Sequence, residues 1–503
     1  MKNGFSLGWA LAITPGLLLS LYAASDLPIN SQACAVQCTL LQYSISDTVW
    51  YTGTAPYEES LASYFSSFEA ELRPRCIIRP KHTEHVAKVF RTIASISSWT
   101  SCQLAIRSGG HTPFAGSANI NGGITIDLSL MKETTLSEDH RIAYIQPGAE
   151  WVDVYNRLVP EGLAVPGARV AGVGVGGFTT GGGISYFAPR FGFTCDSIIN
   201  YQVVLANGTI IHANASAHAD LWWALRGGSN NFGVVTRIDA QTFDQGEFWG
   251  GLLVWEESKI PQLLEAYYDL NSSPNLDPYA QHVLSIGFQG GGVAASNNIH
   301  YTKPQRNPPS LRGYTDIQPV LVNTTRIANI SSFTTEQDSF SPKGLRQDFF
   351  TATVVADLKL YYEIQELWNA SLATVVNATG LQYILTLQPL PRVVMQESAR
   401  RGGNALGLDA SKDLTILCLI ASWRNANDDK WLLGAQRQLI DKILAAAKRR
   451  DRSSRFKYLN YAFAGQDAIA GYGPQSQKRL RAVSSKYDPS GFFQKGVPGG
   501  FKL

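Results

Sequence analysis

Three glycine-rich stretches constrain this chain more than any other feature: RSGGH at 107–111, GGFTTGGG at 176–183 and LRGGSNNFGVV at 225–235. A glycine pair lets the backbone turn sharply and brings its N–H groups close to a ligand, because no Cβ intervenes. His111 follows such a pair directly, which sets it either beside whatever is bound or in an ordinary turn facing solvent. Within 172–177, GVGVGG formally matches the G-x-G-x-x-G dinucleotide fingerprint, and Asp196 lies about twenty residues further on. The match fails in context: the helix it requires would run through FTTGGGISYFAPRF, where Gly181, Gly182, Gly183 and Pro189 make a helix costly. These glycines are therefore expected to serve close backbone approach to a large flat or phosphorylated ligand rather than to open a helix.

The flanking patterns read as an α+β chain. CIIRPKHTEHVAKVFRTIAS is a strand followed by an amphipathic helix, CQLAIRSGGH a strand and turn, GGITIDLSLM an alternating strand, RIAYIQPGA another strand, and EWVDVYNRLVPEGL has helical spacing. SIINYQVVLANGTIIHA reads as a hairpin turning at Asn207-Gly208, and DLWWAL as a helix ending at the next glycine pair. From 243 to 455 glycine pairs thin out. Strand patterns such as TATVVADLKLYY, YILTLQPLP and DLTILCLIASW there alternate with helices such as DDKWLLGAQRQLIDKILAAAKRR. A length of 503 residues suggests more than one core. The expected organisation is a first domain over 26–242, a second over 243–455, and a tail, 456–503, whose aromatic and glycine-bearing texture returns it to the first. A formal net charge of +3, with no basic run beyond AKRRDR at 447–452, argues against a nucleic-acid partner. Eleven Trp, 21 Tyr and 22 Phe point to packed cores and aromatic-lined pockets.

The first 25 residues combine Lys2, an apolar stretch broken by Pro15-Gly16, and small residues at Ala23 and Ser25, the pattern of a cleaved secretory signal peptide. Such a stretch is short for a spanning anchor, and no later segment is long and apolar enough to cross a membrane. Sequons at Asn207, Asn214, Asn271, Asn323, Asn329, Asn369 and Asn377 fit a glycosylated protein that is secreted or held in the secretory lumen. The six cysteines are then free to pair. Spacing does not fix the connectivity; a Cys38–Cys102 bridge is the expected one, since it would tie the N-terminal segment to the strand entering the glycine–histidine turn.

Taken in order, RSGGH, GGFTTGGG, LRGGSNNFGVV and the KYDP tail closely resemble the FAD-linked oxidases of the berberine bridge enzyme type, within the vanillyl-alcohol oxidase superfamily. The resemblance is strong over about 70–242 and 456–498. It is looser in the middle, where it rests on Trp423 and the QPLP and GGNALGL segments. It implies a two-domain flavoprotein, with a PCMH-type FAD-binding domain and an α+β substrate domain built on an antiparallel sheet. It also implies FAD attached through His111 to the flavin 8α-methyl group, with the N–H groups of Ser108, Gly109 and Gly110 cradling the pyrophosphate. Arg107, Ser117, Gly177, Gly181, Gly182, Gly183, Gly233, Val235 and Asn460 complete the implied cofactor set. Family members often carry a second tether, a cysteine at the position of Val170 here, so a single covalent link is expected; Cys195 has no spacing that would make it a substitute.

The tyrosine that follows the triple glycine in plant relatives is Ile184 in this chain, and the strand before Trp423 presents Ile416 and Cys418 where relatives carry polar groups; with Ile420 these offer little hydrogen bonding to a pocket they face. With the usual base absent, Tyr458 and Tyr461 of KYLNYA are the candidate catalytic groups, ordinary packing being the alternative for both. Val173, at the implied oxygen-access position, is small enough to admit molecular oxygen. The resemblance and the apolar substrate strand together suggest an oxidase that takes a hydride from a small, largely apolar secondary metabolite of polyketide or alkaloid type. An extracellular carbohydrate oxidase and a flavin-bearing scaffold for non-redox cyclisation or binding remain as alternatives.

Overall fold

The computed structural model describes residues 29–95 and 102–503; the expected signal peptide, 1–25, lies outside the described residues. Three sheets organise the chain. Strands β1 (Val49–Trp50), β2 (Cys76–Ile78), β3 (Leu104–Arg107) and β4 (Ile124–Asp127) form the first, in the order β1-β2-β4-β3, with β4 parallel to both β2 and β3. The second holds β5 (Thr134–Leu136), β6 (Ile142–Ile145), β7 (Ile198–Val204), β8 (Ile210–Asn214) and β9 (Val234–Gln241) in the antiparallel order β5-β6-β9-β7-β8. The hairpin at Asn207-Gly208 is the β7–β8 connection, and Gly208 takes the left-handed backbone such a turn needs (φ 77°).

The third sheet is antiparallel and large. Its long strands are β10 (Phe248–Glu256), β11 (Leu284–Gln289), β12 (Gly292–Tyr301), β13 (Arg346–Val355), β14 (Gln382–Leu390) and β15 (Leu414–Trp423), in the order β10-β12-β11-β14-β15-β13, with short segments extending the β10 edge. Period-two alternation divides their side chains cleanly. Leu417, Leu419, Ala421 and Trp423 of β15 join Tyr383, Leu385 and Leu387 of β14 in a core packed against the helices Ile260–Asn271, Leu358–Leu372 and Asp429–Arg449. The opposite face looks toward the first two sheets.

Several expectations need correction. TATVVADLKLYY is a strand only as far as Val355; Asp357 then caps Leu360 N at 2.9 Å, and the remainder opens a helix, because a capping aspartate ahead of an apolar-periodic run is a helix start. The disulfides are Cys34–Cys102 and Cys38–Cys76, not Cys38–Cys102. Cys34 and Cys38 lie one turn apart on the helix Ile29–Ser44, so both face the first sheet; the expected link to the 102 strand is made, but from the earlier cysteine. Disulfides of this kind form in oxidising compartments. Asn271 is 1% exposed and donates to Leu414 O and Thr415 Oγ1, both at 3.2 Å, so this sequon is closed to glycosylation in the folded chain, whereas Asn207, Asn323, Asn369 and Asn377 are exposed. Among the described residues no helix is long and apolar enough to cross a membrane.

Candidate active site

A cavity of about 940 Å³ lies between the first two sheets and the open face of the third. One wall is mostly backbone. The turn after β3 brings Ser108, Gly109, Gly110 and His111 to it, and the GVGVGG run at 172–177, which leads into the second glycine stretch, adds Gly174, Gly176 and Gly177. These stretches meet because both lack side chains: a Cβ built on Gly109 would lie 2.6 Å from the Gly174 backbone. Ser108 knots the contact, donating to Pro147 O at 2.5 Å and accepting from Gly176 N at 3.0 Å. The third stretch is hung from the second, since Gly227 N and Ser229 N both donate to Thr180 O, at 3.1 and 3.0 Å. Ser117, Ser229, Asn230, Gly233, Val235, Gly500 and Phe501 continue this wall.

GVGVGG does open a helix, contrary to expectation, but only Val175–Thr180; Gly181 ends it, as the glycine run requires. Asp196 reaches no ligand position. It is fully buried in an ion pair with Arg226 at 2.9 Å and also accepts from Asn404, which disposes of the dinucleotide fingerprint physically.

His111 is half-buried, its ring stacked on Phe65 with centroids 3.9 Å apart. Burial drives its pKa down to about 3, helped by the Lys343 ammonium and opposed by a hydrogen bond to the Gly172 backbone. The imidazole is therefore neutral at physiological pH, and one ring nitrogen keeps its lone pair.

The other wall is side chains from alternate positions of the third sheet: Leu252 and Val254 of β10, Ser285 and Gln289 of β11, Ser296 and Asn298 of β12, Phe349 of β13, Ile384 and Thr386 of β14, and Cys418, Ile420 and Ser422 of β15. Ile184 faces the cavity too. Ile416 does not line it; it is fully buried, in the core cluster that also holds Leu390 and Tyr458. Among the described residues, no Asp or Glu lines the cavity and Arg169 is its only Arg or Lys.

KYLNYA crosses the end of the cavity and supplies Tyr458, Asn460 and Tyr461. Asn460 Nδ2 donates to Phe178 O and to Tyr458 Oη, each at 3.1 Å, which fixes the segment against the second glycine stretch. The two tyrosine rings meet edge to face, with centroids 4.9 Å apart. They differ in polar surroundings. Arg169 donates to Tyr461 Oη at 2.9 Å and, through its other terminal nitrogen, to Gln388 Oε1. Burial pushes both hydroxyls up; the Arg169 charge opposes this at both, but it reaches Tyr461 through a hydrogen bond, while the side-chain partner of Tyr458 is a neutral amide.

Some of the expected cofactor residues stand behind the cavity. Arg107 is 3% exposed; it donates to Ser60 O and to Ser63 Oγ (2.7 Å), lies over the Tyr64 ring at 3.8 Å and faces Asp127 at 3.8 Å, holding the turn from beneath. Gly181, Gly182 and Gly183 also do not line it. Their use is packing: a Cβ on Gly181 would fall 2.0 Å from Asn460 Oδ1, and Gly182 (φ 111°) and Gly183 (φ 82°) turn the chain back. Arg169 was not singled out in the sequence; its signal was its place in PGARVAG, one residue before Val170, and only the fold shows where it points.

The backbone wall fits FAD. The amides of Gly109, Gly110 and His111 have no acceptor within the protein, and a Cβ on Gly177 would meet nothing within 4 Å, so a flat ligand with acceptor oxygens can lie directly against this surface.

Comparison with known proteins agrees with this geometry. An FAD-binding domain family matches residues 74–214. The chain is 33% identical over 521 residues to the FAD-dependent monooxygenase tpcD of Cochliobolus heterostrophus, covering 99% of both proteins. It is 35% identical over 473 residues to the FAD-dependent monooxygenase sdcF of Emericella nidulans, covering 93% of this chain and 98% of that protein. Its fold is similar to that of 6-hydroxy-D-nicotine oxidase from Arthrobacter nicotinovorans (TM-score 0.73, 20% identity, 88% of this chain and 96% of the other). It is also similar to xylooligosaccharide oxidase from Myceliophthora thermophila C1 (TM-score 0.71, 19% identity, 93% and 99%). Its sequence, its cavity and these relatives agree: the chain belongs to the FAD-linked oxidoreductases of the berberine-bridge-enzyme-like family.

Proposed function

We propose that this oxidoreductase removes two electrons and two protons from a small, largely apolar secondary metabolite of polyketide or alkaloid type, with its FAD held by one covalent bond through His111. The observation that carries this reading is the pairing of two unlike walls: backbone amides with a neutral histidine on one side, and an uncharged, mixed aliphatic and amide surface on the other, with Tyr461 and Arg169 at its end. When bound, FAD supplies a two-electron acceptor able to take a hydride equivalent and to pass electrons to molecular oxygen, giving hydrogen peroxide.

The chain's own residues then have separable tasks. Ser108, Gly109, Gly110, Ser117, Gly177, Gly233, Val235 and Asn460 bound the cofactor side. A neutral His111 has the lone pair that alkylation requires, and Val170, on the cavity wall, has no thiol for a second link. Tyr461 serves as base in its ionised form, which the Arg169 guanidinium stabilises against the upward push of burial; the tyrosinate takes the substrate O–H or N–H proton as the neighbouring C–H bond breaks and becomes the neutral phenol. Tyr458 positions Asn460. Ile184, Ile384, Cys418 and Ile420 exclude water, and Val173 leaves a small opening for oxygen. The signal-like N-terminus, the exposed sequons and the two disulfides support a location for this chemistry in the secretory pathway.

A second reading comes from the relatives' names: insertion of one oxygen atom into the substrate. Rapid mixing of the holoenzyme with phenolic metabolites and with oligosaccharides under anaerobic conditions, then admission of labelled oxygen, separates the possibilities. Flavin bleaching by phenolic compounds with one peroxide per turnover supports the oxidase. Label in the product supports the monooxygenase, bleaching by oligosaccharides the carbohydrate oxidase, and a flavin that stays oxidised with every bound compound the non-redox scaffold.

A further inference from the structure

The sheet wall of the cavity is sorted into three rows of different chemistry. Cross-strand register sets one row of Ser285, Thr386 and Cys418, in which the two hydroxyls share a hydrogen bond at 2.9 Å. The next row is Gly287, flanked by Ala294 and Ile384, with Ile420 beyond. The third is Gln289, Gln382 and Ser422. Gln382 Oε1 accepts from Ser422 at 3.2 Å, and neither its amide nitrogen nor the Gln289 side chain has a partner among the described residues. Ser285 and Gly287 are half-buried and Gln289 is exposed, so on β11 the amide row stands nearest the solvent. Gly287 is the anomaly in this order. It is paired in register on both sides, its φ is outside the left-handed region, and a Cβ there would meet only Ile384 side-chain carbons, at 3.4 and 4.0 Å. Neither backbone conformation nor packing requires glycine, although glycine weakens a strand interior and in that setting often marks the close approach of a ligand or another backbone. No other backbone lies within 4 Å of that point. The result is a recess in the aliphatic row, with hydrogen-bonding groups on either side of it.

We infer that Gly287 is a specificity-determining residue: its recess admits a flat substrate of at least two fused rings whose oxygens lie at opposite ends, one on the hydroxyl row and one on the amide row. The inference deepens the reading that a small molecule is oxidised in this cavity, and rests on it. The two polar rows are four residues apart along β11, β14 and β15, a separation of roughly 13 Å. A hydrogen bond of about 2.8 Å at each end leaves roughly 8 Å between the oxygens of the ligand. One ring is too short to bridge that gap, and two fused rings span it. Ile384 and Ile420 then lie against the face of the ring system, and the absent side chain at Gly287 lets it settle onto the sheet.

Equilibrium dialysis of the holoenzyme against three probes, at a pH where their phenols are neutral, tests this without turnover. Of these, 6-acetyl-2-naphthol has two rings and an oxygen at each end, 2-acetylnaphthalene lacks one of the oxygens, and 4-hydroxyacetophenone carries both on a single ring. The first is expected to bind roughly tenfold more tightly than either of the others. Gly287→Val introduces a residue favoured in strands and should weaken both naphthalenes by roughly tenfold or more. It should leave 4-hydroxyacetophenone unchanged, with flavin content as the check on folding. Gly287→Ala, the smaller filling, should show the same pattern to a lesser degree, and it carries the test if the valine variant does not fold. Gln382→Leu should remove most of the advantage of 6-acetyl-2-naphthol over 2-acetylnaphthalene, since a lone oxygen can use either row. Equal binding of the three probes, binding of none, or an advantage that survives Gln382→Leu overturns the inference. So does a loss at Gly287 that falls on the single-ring probe as heavily as on the naphthalenes. Flavin bleaching plays no part in these measurements, so the redox reading can fail while the recess assignment stands, and the reverse.

Discussion

The two walls of the cavity are built on opposite principles. The cofactor side is backbone: Gly109 and Gly174 touch without side chains, Gly177 is open, and unpaired amides face the ligand. The sheet side is side chains, drawn largely from alternate positions of six strands. A backbone wall recognises what all members of a flavoprotein family share, and it tolerates no added atoms. A side-chain wall can be rewritten residue by residue without moving the strands, because alternate positions stay packed against the helices behind it. Cofactor retention should therefore respond to the first wall and substrate choice to the second.

Replacing His111 with alanine offers the sharpest break in that contrast. Acid precipitation of the unmodified protein should carry all of the flavin with it, and a single histidyl–flavin peptide should appear on mass spectrometry. His111→Ala should release the whole of its flavin in acid while still binding FAD in neutral buffer, since the amides remain. A cysteinyl adduct, or flavin that washes out of the unmodified protein, contradicts the single tether.

Next in size is the removal of a hydroxyl at the cavity's end. Tyr461→Phe should slow anaerobic flavin reduction by about a hundredfold to ten-thousandfold, and Tyr458→Phe by less than about tenfold, because its hydroxyl meets Asn460 and not a cation. Equal losses, or none, would mean that the proton leaves by another route. A smaller change is expected from the sheet wall. Ile420→Ala should alter KM for a given substrate by about tenfold, the worth of a few methylene groups in a pocket, with flavin content unchanged; loss of flavin there would blur the division between the walls.

The smallest effect lies behind each wall. Burial raises Asp348, on the hidden face of β13, to about 8 from the ordinary aspartate value of 3.8, and raises Glu69, whose carboxylate accepts from the amides of Gly116 and Ala118, to about 7 from 4.5. A carboxyl with a raised folded value holds its proton more tightly in the folded chain. Its contribution is therefore largest below the unfolded value and is lost as pH climbs toward the folded one. Thermal unfolding should accordingly fall between pH 4 and pH 8. Asp348→Asn should narrow that fall by on the order of 2–4 °C, and Glu69, retained in the variant, should keep the narrowing partial.

Much of the backbone wall was legible in the chain. Glycine has a distinctive conformational reach, so RSGGH, GGFTTGGG and LRGGSNNFGVV mark where the main chain must turn or touch, and Ser108 to His111, Gly177 and Gly233 do reach the cavity. The same signal overreached at Gly181, Gly182 and Gly183, which serve packing against Asn460 and Thr194. Sequence distinguishes a glycine that needs room from a residue that does not; it does not say whether the neighbour is a ligand or another part of the protein. Arg107 misled for a related reason, since a charge next to a binding turn reads alike whether it faces the ligand or anchors the turn from below.

By itself the sequence determined the α+β class, the alternating strands and the glycine turns, with a histidine after the first of them, because each of these depends on local sterics or on period. Tertiary structure alone decided that the even-numbered residues of β15 face the cavity only from Cys418 onward, that Cys34 rather than Cys38 meets Cys102, and that Arg169 stands beside Tyr461, 292 residues away. Alternation along a strand sorts side chains into two faces without naming either one, and a charge acquires its chemical meaning from partners that the chain brings to it only when folded.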